Sequence, residues 1–235
     1  MEKTTPPRTR QEFEAALEAL SAHYWDKHPF HSRLHTGALT QDEMRRWIAN
    51  RWYYQKCLPQ KDAAILANCP DVKVRRRWVE RIHYQDGRDD TGSSGLEEWL
   101  TLATAAGMKR ADVLDERLVL PGVRFATDAY VHFARVRPWT EAVAASLTEL
   151  FSPELMRTRL TALRDHYPWI HSSGHRYFDR RIEAASSDAT HARELVLENC
   201  TTREQQDAAL AALEFKCGLL WSMLDALDRA GHEEG

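Results

Sequence analysis

Four groupings of polar side chains on otherwise apolar helical patterns could do chemistry in this sequence. Arg51, Tyr54, Gln55 and Leu58 recur at i, i+3, i+4 and i+7, the spacing that puts side chains on one helical face, and Lys61 follows about a turn later. Arg81 and Gln85 stand four apart within "RIHYQDG", and Tyr177 and Arg181 repeat that spacing. Arg159 and Lys216 add cations to patterns with strong apolar stripes, Leu155, Leu160 and Leu163 for the first and Leu213, Leu220 and Leu224 for the second. If these groups converge, they make a cationic, tyrosine-lined pocket inside a nearly neutral chain. Such a pocket suits a small polycarboxylate, because guanidinium forks pair with carboxylates through two parallel hydrogen bonds. The competing reading of the first stripe is a solvated surface helix, the usual setting for charged side chains.

Other chemistry is more weakly signalled. "HPFHSRLH" brings His28, His31 and His35 close in sequence, but no carboxylate repeats at the Glu-x-x-His spacing of a helical metal bundle, and Pro29 interrupts the helix that would hold the ligands. The expectation is therefore no metal. Trp47, Trp52 and Trp221 read as core residues. Phosphate-loop, dinucleotide-fold and serine-nucleophile motifs are missing.

The elements that must position these residues are helices. Gln11 to Trp25 carries Phe13, Leu17, Leu20 and Tyr24 at helical spacing, after a loose lead-in of about eight residues. "TQDE" from Thr40 has the capping-box form and opens a long helix ending near "NCPD". Asp71 caps the next helix, which Gly87 stops. The polar stretch "DGRDDTGSSG" from Asp86 to Gly95 reads as a mobile surface loop. Three further periodic segments follow, then a helix begun by Ser152 as cap with Pro153 at its first turn, a short one around His175 to Ala185, and a long last one from Thr202. No alternating strand pattern appears, so the 235 residues form a single all-α domain. Lys+Arg at 32 against Asp+Glu at 35 offers no electrostatic footprint for nucleic acid or for an anionic membrane. Cys57, Cys69, Cys200 and Cys217 lack any C-x-x-C spacing, and no apolar run is long enough to span a bilayer; the reading is a reduced cytoplasmic protein.

Longer motifs carry a resemblance. "HPFH", "NRWYYQ", "KDAAILANCPD", "LPGVRFATDAYVHFAR", "SLTELFSP", "HYPWI", "YFDRRI" and "FKCGLLWSMLDAL" occur in the order and spacing of the pyrroloquinoline-quinone synthase family, over nearly the whole chain. The resemblance implies a compact seven-helix bundle of the haem-oxygenase-like type, usually a homodimer. It implies oxygen-dependent ring closure and oxidation of a tricarboxylated bicyclic quinone precursor, the last step of pyrroloquinoline quinone biosynthesis, without metal or organic cofactor and with oxygen as co-substrate. By matching motif, Arg51, Gln55, Lys61, Arg81, Arg159 and Lys216 would hold the substrate, Tyr24, Tyr54 and Tyr130 would line it, and Tyr177 and Arg181 would handle oxygen.

Three positions depart from the family pattern. Gln85 stands in "RIHYQDG" where the family has an active-site histidine, Trp25 follows Tyr24 where histidine is usual, and Met156 replaces the histidine expected after "SLTELF". Glutamine exchanges hydrogen bonds but carries no proton near neutral pH, and tryptophan and methionine do less. His83, about 160° around the helix from Gln85, faces elsewhere; His171 and His175 precede Tyr177 and are as readily surface residues. Three readings stay open: a synthase with altered proton handling, a diverged or engineered member with slowed or different oxidation, and a non-catalytic carrier of the quinone or its precursor.

Overall fold

The computed structural model describes residues 5–89 and 94–232, with the backbone alone described at 183–188 and 232. Eleven α-helices run through these residues, seven of them longer than ten residues, and among the described residues there is no strand. The order is α1 (Arg10–Ala19), α2 (Pro29–His35), α3 (Gln41–Asn68), α4 (Val72–Asp86), α5 (Gly95–Ala105), α6 (Arg110–Leu114), α7 (Pro121–Val136), α8 (Trp139–Ala144), α9 (Ser152–His166), α10 (Arg176–Asn199) and α11 (Arg203–His232). The long helix α3 runs between α4 and α7, while α10 and α11 close the bundle over α8 and the 3-10 segment Ala145–Phe151. Trp47, Trp78, Trp99, Phe30 and Phe178 are nearly inaccessible in the core. Trp52 is buried too, and Trp221 is half-buried with its ring edge-on to His28.

Local signals set most boundaries. Thr40 and Glu43 satisfy each other's backbone amides at the start of α3. Asp71 accepts from the Lys73 amide at the start of α4, and Gly87, at φ 95°, ends that helix in a backbone region that side chains resist. Thr202 and Gln205 form the same reciprocal cap before α11.

Other boundaries differ from expectation. The first helix stops at Ala19; Tyr24 is extended, and two 3-10 turns, Leu20–His23 and Trp25–Lys27, carry the chain to α2. Pro29 does not interrupt that segment: it opens α2, and His28 before it takes the extended conformation proline imposes and caps the Phe30 amide. Ser152 is no cap, because the 3-10 segment feeds directly into α9 and the Ser152 hydroxyl turns back to the Glu149 carbonyl. Helix α10 runs on to Asn199 rather than stopping near Ala185. The lead-in is tied down at Arg8, which pairs with Asp207 and Gln206 of α11; Met1 to Thr4 lie outside the described residues. The stretch read as a mobile loop also falls partly outside them, at 90–93, and Ser94 on its far side caps α5.

Candidate functional site

Gln55 marks the centre of the site, and Pro59 explains why. Proline has no amide hydrogen, so in the middle of α3 it leaves the carbonyl four residues earlier, that of Gln55, without its helical donor. The Gln85 side chain of α4 supplies the replacement: its Nε2 donates to the Gln55 carbonyl at 3.2 Å and to Gln55 Oε1 at 3.0 Å. Gln55 Nε2 in turn donates to the Tyr177 hydroxyl at 2.6 Å, linking α3, α4 and α10 through one chain of amides. Gly95 permits this, since a Cβ there would lie 2.7 Å from Gln85 Oε1.

Around that chain lies a cavity of about 80 Å³. The stripe on α3 points into it as its spacing requires: Arg51, Tyr54, Gln55, Leu58 and Lys61 all line it, with Arg81 and Gln85 from α4, Tyr130 from α7, and Tyr177 and Arg181 from α10. Tyr24 lines it as well, as do Trp25 and Met156, two of the positions that depart from the family pattern. Arg159 and Lys216 do not line the cavity. Each lies behind its wall: Arg159 Nη2 meets His31 Nε2 at 2.7 Å with its guanidinium over Trp25 and Trp47, and Lys216 Nζ lies 2.7 Å from the Tyr54 hydroxyl.

Two acids that the sequence reading missed divide these cations into halves. Glu149, on the 3-10 segment, bridges Arg81 at 2.7 Å and Arg181 at 3.2 Å. Burial alone would raise its carboxyl, but Arg81 and Arg181, with Lys61 beyond, hold it down to about 2. Asp62 takes Lys61 Nζ at 2.5 Å and the Trp78 indole N–H at 2.8 Å, and Ser146 lies 3.1 Å from the same Nζ. The other half is held by aromatic faces. The Arg51 guanidinium sits 4.6 Å from the Trp25 ring and 4.2 Å from that of Tyr54, and its Nε and Nη1 are buried with no hydrogen-bond partner in the protein. Such orphaned charge-bearing donors are costly unless something satisfies them. Burial pushes the Tyr24 phenol up to about 12, and those of Tyr54, Tyr84 and Tyr130 higher still, so all four act as neutral donors.

Asp62, Tyr84, Ser146, Thr148, Glu149 and Ser152 line the cavity unforeseen. The available signals were an acid directly after Lys61, the last residue of the stripe, and the lone Glu149 inside the apolar run "SLTELF". His83, His171 and His175 are not among the lining residues. Among the described residues no three metal-binding side chains gather; His28 meets Asp225, His31 meets Trp25 and Arg159, and His35 stacks on His31. The four cysteines are buried and unpaired, and no helix among the described residues is long and apolar enough to cross a membrane.

The helices that surround this polar centre have a haem-oxygenase-like architecture. The chain overlays a domain with that fold from Shewanella denitrificans at TM-score 0.78 and 15% identity, covering 96% of this chain and 94% of the other. A TenA homologue from Pseudomonas syringae pv. tomato overlays at 0.72 and 12%, covering 97% and 99%. At such identities the likeness is one of fold. Residues 14–226 match the TENA/THI-4/PQQC family, and the chain belongs to it. Among its relatives, the pyrroloquinoline-quinone synthase of Cronobacter sakazakii is 50% identical over 222 residues, 94% of this chain and 88% of that one. The synthase of Acinetobacter baumannii is 47% identical over 230 residues, 98% and 91% of the two chains. The resemblance carried by the sequence motifs is thus to the right branch of the family.

Proposed function

We propose that the chain is an oxidoreductase of pyrroloquinoline quinone biosynthesis that binds a tricarboxylated bicyclic precursor and carries out its oxygen-dependent ring closure and oxidation. The observation that carries this reading is the Arg51 guanidinium, two of whose donor atoms are buried and unsatisfied, sharing one cavity with Lys61, Arg81 and Arg181. Charge-assisted contacts contribute roughly 1.5–3 kcal/mol each, enough for several to hold a polycarboxylate. In this reading Arg51, Lys61 and Arg81 take carboxylates, Tyr24, Tyr54 and Tyr130 pack the ring system, Gln55 and Gln85 orient it, and Tyr177 and Arg181 receive oxygen. Electrons come from the substrate, with neither metal nor organic cofactor taking part.

At about 80 Å³ the cavity is well below the roughly 300–1,000 Å³ typical of sites for molecules of this size. Binding therefore requires the site to expand. Glu149 and Trp25 lie on 3-10 segments, the least regular elements at its wall, and are the residues we expect to move. A second reading, a carrier that binds without turnover, is favoured by one observation: no histidine is among the residues lining the cavity.

The homodimer implied by the family pattern is supported by an apolar groove between α7 and α11 at Phe125, which is 81% exposed, with Phe215 beside it. A cytoplasmic location is supported by the unpaired cysteines. Anaerobic mixing with the precursor under excess chelator, followed by oxygen, tests the function. A spectral change before oxygen and quinone after it is expected; binding alone supports the carrier, and no spectral change at millimolar precursor overturns both readings.

A further inference from the structure

Of the two buried lysines at the site, one has a counterion and the other does not. Lys61, 2% exposed, is neutralised by Asp62 at 2.5 Å. Lys216, 1% exposed, has as its hydrogen-bond partner the Tyr54 hydroxyl at 2.7 Å, and its Nζ rests 3.5 Å above the Tyr130 ring and 4.3 Å above that of Tyr54. Among the described residues no carboxylate lies within ion-pair distance of it. The charged and titratable groups facing it are Arg51, Tyr54 and Lys61 from α3, Tyr130 from α7, Glu149 from the 3-10 segment, and Cys217 on its own helix. Two of these are cations and Glu149 is already committed to Arg81 and Arg181.

A buried ammonium in such company is disfavoured by desolvation and by repulsion together. Arg51 and Arg159 share the lack of a carboxylate, but guanidinium holds its proton in proteins and an amine does not have to. We infer that Lys216 is a neutral amine in the unliganded site and becomes an ammonium when a polycarboxylate binds, so that ligand binding takes up a proton which can leave only through the Tyr54 hydroxyl. The inference rests on the polycarboxylate reading given above. Burial first, then Arg51 and Lys61, hold the Lys216 ammonium well below the ordinary lysine range, which agrees with the geometry.

The bound ligand reverses the balance. Its carboxylates offset the surplus of cations over acids and bring negative charge to within a tyrosine's breadth of Nζ. Tyr54 lines the cavity while Lys216 does not, so Tyr54 is the conduit: its hydroxyl can give a proton to a reduced oxygen species or to the ligand and recover one from the ammonium. Lys216 acts through Tyr54 and is a positioning residue. The arrangement supplies one stored proton to a site in which Gln85, Trp25 and Met156 can supply none.

Two measurements test this. In the 15N spectrum of unliganded protein near neutral pH, one lysine Nζ should show the neutral-amine shift, and that signal should be absent from Lys216→Met; ammonium shifts for every lysine overturn the inference. In weakly buffered, oxygen-free solution, pyrroloquinoline quinone should bind with uptake of about one proton per site beyond that of Lys216→Met, and its affinity should weaken about tenfold per pH unit above neutrality in wild type only. Equal uptake by both proteins overturns the coupling. Methionine on the aromatic shelf is an apolar isostere, so the variant should stay folded, with unchanged or higher thermal stability as the check. If the quinone does not bind wild type, the polycarboxylate reading and the coupled uptake both fail, while the nitrogen spectrum still decides the charge of Lys216.

Discussion

Replacing Glu149 by glutamine tests the electrostatic layout of the site without reference to turnover. The carboxyl is held at about 2 against an ordinary 4.5 by Arg81 and Arg181. A shift of one unit corresponds to about 1.4 kcal/mol, so the ionised form contributes roughly 3 kcal/mol of stability, in line with the ~3–5 kcal/mol lost on breaking buried ion pairs. The sign follows from linkage. A carboxylate with a depressed native pKa stabilises the fold fully above its unfolded value and loses that contribution as pH falls toward the native value. The window is therefore from about 4.5 down to about 2. Urea unfolding of wild type and Glu149→Gln should differ by roughly 3 kcal/mol at neutral pH with similar m values, and the curves should converge as the acid end of the window is reached. A bound polycarboxylate should restore part of the loss, because it offers Arg81 and Arg181 the charge that glutamine lacks. Equal stabilities at neutral pH, or a gap that persists unchanged through the window, would refute the reasoning.

Further outcomes follow from the amide chain. Gln85→His should raise single-turnover oxidation of the precursor by ~10²–10⁴-fold if a proton carrier is what the site lacks, and by less if Met156 and Trp25 also limit it. Rates indistinguishable among wild type, Gln85→His and Gln85→His with Met156→His would dismiss that explanation. Gly95→Ala should displace the Gln85 carboxamide and cost about 1 kcal/mol in chemical denaturation. The same substitution in a Gln85→Ala background should cost much less, and equal penalties in both backgrounds would rule out the contact as the cause.

The α3 stripe was legible because helical spacing alone decides which side chains share a face, and the i, i+4 pairs on α4 and α10 were legible for the same reason. Depth was not: nothing in the local pattern distinguishes Arg181, which reaches the cavity, from Arg159 and Lys216, which stop behind a layer of aromatic rings. Glu149 escaped notice since one acid in an apolar run looks like the solvated side of a helix, and its two arginine partners lie 68 and 32 residues away. The break after Ala19 depends on tertiary burial of Tyr24 and Trp25, which overrode a helical periodicity that sequence alone supports.

The proline within α3 acts as a filter on what may stand at position 85. A buried carbonyl deprived of its partner costs about 1–3 kcal/mol, so the fold requires from residue 85 a side chain with an N–H and the reach to use it. Glutamine and histidine both qualify; leucine and ionised glutamate do not. To the folding free energy the two qualifying residues are near-equivalents, while to the chemistry of the cavity one is inert to protons and the other titrates. The catalytic character of the site can thus be exchanged at a position whose structural duty stays the same.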